Sequence, residues 1–270
     1  THIPQEIVML TGITAKDLML NILSRRDLKD ELIASNRVLQ FGGEALEEME
    51  LDDQTVLTNM AIEGQAFTGI TEPNEKIIEF VMEKHGLQRN DVEAMLVYPD
   101  PEATYFDVLD IDLENIQRMV ALPGDTQNAV PIGEVEGIKI NFAYIGSCTG
   151  GKLKDLREVA AVLKGRKISR WVEMQIQASS KSVYEEAKDE GLIKIFDNAG
   201  AKVIGQGCGN CMGATEEARL RVANAITSTN RSFEQRMGKN TNAYLASPAV
   251  VAATAVIGEI CVPEDLPSIN

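Results

Sequence analysis

The stretch IKINFAYIGSCTGGKLKDLREVAAVL, from Ile138 to Leu163, decides the fold class. It opens as a mostly apolar run short enough for one strand, passes through a glycine-rich turn at 146–151, and continues with the 3.6-residue apolar period of a helix from Lys152 to Leu163. A strand, a tight turn and a helix in that order predict a parallel sheet covered by helices. The same grammar recurs downstream. Ile168–Gln177 reads as a strand and Ser182–Glu190 as a helix. Ala201–Ile204 reads as a strand running into GQGCGNCMG at 205–213, with a helix around Glu216–Val222. Asn224–Ser228 is a strand running into Thr229, Asn230 and Arg231, and Pro248–Ile257 is an apolar closing helix.

Upstream, Ala15–Arg25 reads as an amphipathic helix and Arg37–Phe41 as a strand. Asp52–Gly64 is a helix with acidic residues in its first turn, where the helix dipole favours them. Pro73–His85 is another, with proline near its start and Gly86 just past its end. Tyr98–Thr104 is a Pro-, Asp- and Glu-rich turn, and Pro123–Val135 reads as irregular. The expectation is an α/β protein of two three-layer domains, residues 1–103 and 104–270.

Composition narrows the function. A net charge of −15 argues against nucleic acid, which needs clustered Lys and Arg. It leaves anionic substrates open, because a few local cations suffice to hold a carboxylate. The most apolar run, Leu245–Ile260, is broken by Ser247, Pro248, Thr254 and Glu259, so no membrane span is expected. No basic flank followed by an apolar core opens the chain, which predicts a cytoplasmic, reducing setting. The first residue is Thr1 rather than Met. Four cysteines are too few for a disulfide scaffold.

Those cysteines are unevenly placed. Cys148 and the pair Cys208/Cys211 each follow a predicted strand, as do Asn230 and Arg231, so all can converge at the carboxyl edge of a parallel sheet, where ligands of such sheets bind. Three thiolates fit a cubane iron–sulfur cluster with one iron left open. Zinc completed by His85 or Cys261, a redox dithiol at Cys208/Cys211, and inert thiols are the competing readings. Cys261 lies in a Pro-containing tail without a glycine loop and reads as a plain thiol. Asn59 and Glu63, at i and i+4 of one predicted helix, would face the same way, which an ordinary solvated helix face would also explain.

The stretch from Tyr144 to Arg157 resembles the cluster-ligand loop of the aconitase, homoaconitase and isopropylmalate dehydratase family. So do GCGNCMG at 207–213, TNRSFEQRMG at 229–238 and YLASPA at 244–249, while LTNMAIE at 57–63 resembles that family's Asn-Met-x-x-Glu helix. The resemblance implies that Cys148, Cys208 and Cys211 bind three irons of a [4Fe–4S] cluster whose fourth iron is open to substrate. It implies that Asn59 and Glu63 are catalytic positions, and that Asn230, Arg231 and Arg236 are on the substrate side. A planar guanidinium grips a carboxylate through two hydrogen bonds, which suits a di- or tricarboxylate.

Several positions depart from the pattern. Gly150 stands where the family usually carries Asn, Ser232 and Gln235 interrupt Asn-Arg-Asn-Phe-x-Gly-Arg, and Lys152 and Lys154 replace the commoner Arg and Glu, a change expected to alter only a surface pair. His2 and His85 match no catalytic motif. The resemblance therefore covers the family's middle two domains and implies a hydro-lyase of the isopropylmalate dehydratase or homoaconitase branch, in amino-acid biosynthesis. A small subunit or further domains would supply the catalytic serine and histidines. The alternative is a non-catalytic iron–sulfur module for sensing or assembly.

Overall fold

The computed structural model describes residues 2–3, 12–207, 209–213 and 222–268, with backbone alone for His2, Ile3 and Val222. A small parallel sheet is formed by β1 (His2–Ile3), β2 (Val38–Gly43) and β3 (Thr68–Thr71), in that order. Helices α1 (Ala15–Ser24), α2 (Arg26–Lys29), α3 (Glu44–Glu48), α4 (Leu51–Met60), α5 (Glu75–His85) and α6 (Arg89–Glu93) accompany it.

Helix α1 starts where the chain provides a reciprocal cap. Thr14 Oγ1 accepts from the Asp17 N–H at 3.3 Å, and the Asp17 carboxylate accepts from the Thr14 N–H at 3.0 Å. Helix α4 ends at Met60 and tightens into a 3-10 turn over Ala61–Gly64, so the single helix expected over 52–64 is divided. Strand β3 then runs so close to α4 that a Cβ on Gly69 would fall 2.7 Å from the Ala61 methyl.

The larger sheet has seven strands: β4 (Met119–Ala121), β5 (Ala129–Pro131), β6 (Phe142–Ile145), β7 (Glu173–Gln177), β8 (Lys202–Ile204), β9 (Val222–Thr227) and β10 (Asn240–Leu245). Their spatial order is β5-β4-β10-β9-β6-β7-β8. The five strands from β10 to β8 are parallel, and β4 and β5 are added antiparallel at one edge. The chain lays β6, β7 and β8 in one direction, then crosses back to place β9 on the other side of β6. The reversal of strand order thus lies between β6 and β9.

Side chains of β6 alternate as a pleated strand requires. Ala143 and Ile145 pack into the helix layer of α7 (Leu153–Leu163), α9 (Leu192–Ala199) and the helix Pro248–Ile257, with α8 (Lys181–Asp189) beside them. Phe142 and Tyr144 point to the opposite face, against Cys211, Ala225, Met237 and Ala243. Helix α7 buries Leu156, Val159, Ala160 and Leu163, spaced at three and four residues, against the closing helix. A second core surrounds α1 and α4 and takes in Ile111, Leu113, Ile116, Met119, Ala121 and Leu245, so apolar packing continues past residue 103.

Strands β4, β5 and β10 have no counterpart in the sequence-based expectation, and β4 and β5 are three residues each, too short to show alternation. Within the stretch expected to be irregular, Ala129–Pro131 is a strand. Val222 opens β9 rather than ending a helix, and the rest of the helix expected at Glu216–Val222 lies outside the described residues.

Candidate functional site

Because β6, β7, β8 and β9 are parallel, the loops that follow them emerge along one sheet edge. The β6 loop carries Cys148, which is exposed. The loop is pressed onto the end of β9: Ser228 Oγ donates to the Gly150 carbonyl at 2.9 Å and accepts from the Gly146 N–H at 3.1 Å. A Cβ at Gly150 would lie 2.0 Å from the Ser228 carbonyl oxygen, so this backbone path has no room for the asparagine usual in the family.

Cys211 lies in a 3-10 turn, Gly209–Met212, after β8 and is buried. Arg236 wraps it. Its Nη2 donates to Cys211 Sγ at 3.2 Å and to Asn230 Oδ1 at 3.3 Å, and its Nε donates to the Cys211 carbonyl. Beneath the turn, two glutamines of β7 form a buried polar floor. Gln177 accepts from the Tyr144 hydroxyl and donates to the Gly205 carbonyl, while Gln175 accepts from Asn210. Sequence patterning missed both, because a polar residue inside a strand reads as solvent-facing until its partners are known.

Arg231 Nε donates to Glu63 Oε1 at 2.5 Å, and Asn230 Nδ2 approaches the same oxygen at 3.5 Å. Burial raises the Glu63 carboxyl above the ordinary glutamate range, while the hydrogen bond and charge of Arg231 oppose the shift. One chain of contacts therefore runs Glu63–Arg231/Asn230–Arg236–Cys211, joining the α4 region to both the β8 and β9 loops. Asn59 is exposed in the last turn of α4, and its side chain makes no hydrogen bond with another described residue. Glu63 lies in the following 3-10 turn rather than in α4, so the two are not on one continuous α-helical face. Cys208 lies outside the described residues.

Three lysines absent from the sequence-based site list bind the first part of the chain to these loops. Lys16, buried in the first turn of α1, uses Nζ to donate to Thr149 Oγ1 at 3.0 Å, the Ser228 carbonyl at 2.7 Å and the Thr229 carbonyl at 2.9 Å. Burial pushes its ammonium down to about 8, leaving it protonated at neutral pH. Lys152 Nζ donates to the Asp52 carbonyl and Thr55 Oγ1, and Lys154 pairs with Asp53. The expectation that Lys152 and Lys154 alter only a surface pair is thus corrected: Lys152 is 9% exposed, and both reach across to α4.

The donor chemistry fits a thiolate-held group. Cys148 is a free thiol, and the Cys211 sulfur receives a guanidinium N–H, the kind of cationic neighbour that favours a thiolate ligand. The other proposed zinc ligands lie elsewhere. His85 is exposed at the end of α5. Cys261 is buried near Ile260, whose carbonyl accepts from Gly137 before β6 begins, at the opposite sheet edge from Cys148. Burial, reinforced by Asp265, Glu136 and Glu259, pushes its thiol up to about 12, which suits an inert core thiol. Among the described residues, no group of three His, Cys, Asp or Glu side chains is gathered around a point.

A parallel α/β sheet with cysteine-bearing loops, two arginines and a partly buried glutamate near its strand-order reversal is of the class whose ligands bind at the carboxyl edge of the sheet. The model for the aconitase family (aconitate hydratase) matches residues 8–258, and the chain belongs to that family. A [4Fe–4S] cluster is the cofactor this membership implies. The chain is 40% identical over 253 residues to the probable 3-isopropylmalate dehydratase large subunit of Methanothermobacter thermautotrophicus, covering 93% of this chain and 58% of that one. It is 37% identical to the methanogen homoaconitase large subunit of Methanocaldococcus jannaschii, covering 92% and 60%, and 39% identical to the 3-isopropylmalate dehydratase large subunit 1 of Pyrococcus furiosus, covering 94% and 59%. The chain thus spans about three-fifths of the length of these relatives. No helix among the described residues is long and apolar enough to cross a membrane.

Proposed function

We propose that this chain provides the cluster-binding and carboxylate-binding part of a hydro-lyase that dehydrates and rehydrates a hydroxy di- or tricarboxylic acid, of the isopropylmalate dehydratase or homoaconitase type. The observation that carries this reading is the continuous contact chain from Glu63 through Arg231, Asn230 and Arg236 to Cys211, at the sheet edge that also bears Cys148. Cys148, Cys208 and Cys211 would hold the [4Fe–4S] cluster, which supplies a Lewis acid at its open iron when bound. Arg231 and Arg236 would turn their remaining N–H groups to substrate carboxylates. Asn230 links Glu63 to Arg236, donating to the one and accepting from the other. Glu63, its carboxyl raised by burial against the opposing pull of Arg231, is placed to exchange a proton with a leaving hydroxyl. Asn59, exposed in the last turn of α4, would contact bound substrate or water.

The same reading divides the chain into units at 1–103 and 104–270, places it in the cytoplasm, and assigns it a small-subunit partner that brings further catalytic groups. The test is anaerobic reconstitution with iron and sulfide, with iron counting and spectroscopy on wild type and Cys148→Ala. A cubane in wild type that fails in the variant, and whose spectrum changes when a tricarboxylate is added, supports the reading. A cluster indifferent to Cys148 sinks it. A cluster indifferent to every carboxylate leaves the non-catalytic sensing or assembly module, which the engagement of both arginines by protein groups would favour.

A further inference from the structure

Lys16 is placed where stability alone would not put a lysine. It is 2% exposed, yet among the described residues no carboxylate forms an ion pair with it. It occupies the second position of α1, in the first turn, where the helix dipole already presents positive charge. A buried cation with no carboxylate in contact is costly even when hydrogen-bonded; the buried Asp155 carboxyl favours its charge without a hydrogen bond to it, and Lys152 opposes it. All three N–H donors of the ammonium are nonetheless matched, and by neutral oxygens alone.

Those oxygens belong to the two loops of the candidate site. Thr149 follows Cys148, and Ser228 and Thr229 immediately precede Asn230 and Arg231. The ammonium is thus held one residue from Cys148 on one loop and one residue from Asn230 on the other. Three thiolates around a cluster would bring a concentration of negative charge to this spot, in a low-dielectric interior where an opposite charge acts strongly.

We propose that Lys16 is a positioning residue whose buried ammonium offsets the negative charge of the thiolate-bound cluster while tying the Cys148 loop to the Asn230–Arg231 loop. The proposal rests on the reading of the cysteines as cluster ligands. Net charge near a cluster helps set its reduction potential, and loss of a nearby cation makes adding an electron harder.

The experiment measures the midpoint potential of the reconstituted cluster in wild type, Lys16→Met, Lys16→Gln and Thr149→Val. The two neutral variants are expected to shift it to more negative values and to release iron to a chelator several-fold faster. Lys16→Gln keeps hydrogen-bonding capacity if Lys16→Met folds poorly. Thr149→Val removes one tie but keeps the charge, and is expected to shift the potential much less. Potentials equal to wild type in both Lys16 variants, or an equal shift in Thr149→Val, overturn the charge role while leaving the cluster reading intact. A wild-type chain that takes up no cluster overturns the cluster reading, and this proposal with it.

Discussion

At single positions, two departures from the family pattern acquire physical reasons. Gly150 is enclosed by Ser228, whose carbonyl oxygen would sit 2.0 Å from an added Cβ. Gly150→Ala is therefore expected to cost about 2–4 kcal/mol, read as a lower urea midpoint, because backbone rather than a flexible side chain must move. Gln235, which occupies a position usual for glycine, has φ +65°, in the left-handed region that side chains avoid. Gln235→Gly should raise stability by about 0.5–1 kcal/mol. A third expectation concerns Glu158, whose carboxyl burial pushes up to about 7 from an ordinary 4.5, with Asp155 adding to the shift. Between those values the folded chain keeps a proton that the unfolded chain releases, so stability falls as pH rises through that window. Glu158→Gln should reduce that fall by about 1–2 kcal/mol when denaturation at pH 5 and pH 8 is compared, a figure below the full shift because the side chain is partly solvated. The cysteines, Arg231, Arg236 and Glu63 entered the candidate site through the resemblance of their motifs to the family's, since spacing alone left zinc, a redox dithiol, a surface ion pair or a solvated helix face open. Lys16 was not: a lysine in an amphipathic helix reads as a surface charge, and its partners are 133, 212 and 213 positions away.

Among elements, legibility followed length and turn chemistry. Helix α7 and the Pro248–Ile257 helix stand within one residue of their expected bounds, since long apolar periods and a proline start define them. The start of the β6 strand was set four residues early, at Ile138 rather than Phe142, because apolar residues continue into a segment that pairs with the Gly258–Ile260 backbone instead of the sheet. The contact of α7 with α4 could not be foreseen, since nothing in Lys152 or Lys154 reveals what lies opposite. Lys154 and Asp53 are partly shielded, at 36% and 13% side-chain exposure. A double-mutant cycle with Lys154→Ala and Asp53→Ala should return a coupling of about 0.5–1.5 kcal/mol, more than a fully exposed pair and sensitive to salt. Additive single effects would mean that the two helices are not joined through this pair.

Over the whole molecule, the charge of −15 repels itself, and no count of individual ion pairs removes that background. Moving from about 10 mM to about 0.5 M salt, which shortens the screening length from roughly 30 Å to a few ångströms, should raise the melting temperature by a few degrees. A flat or falling response would mean that local attractions such as Lys154–Asp53 outweigh the repulsion. The parallel sheet was legible from its repeating strand–turn–helix segments. The strand order was not, because no local pattern says that β9 returns to the far side of β6. That return also sets a timetable. Gly146 and Ser228, which touch across the reversal, are 82 residues apart in the chain. During synthesis the Cys148 loop emerges long before the strand that braces it, and such a long-range pairing is slow to form. If the three cysteines hold iron, a truncation ahead of Val222, which keeps all three but removes the Ser228 brace of the Cys148 loop, should bind iron more weakly than the whole chain when iron is counted after reconstitution.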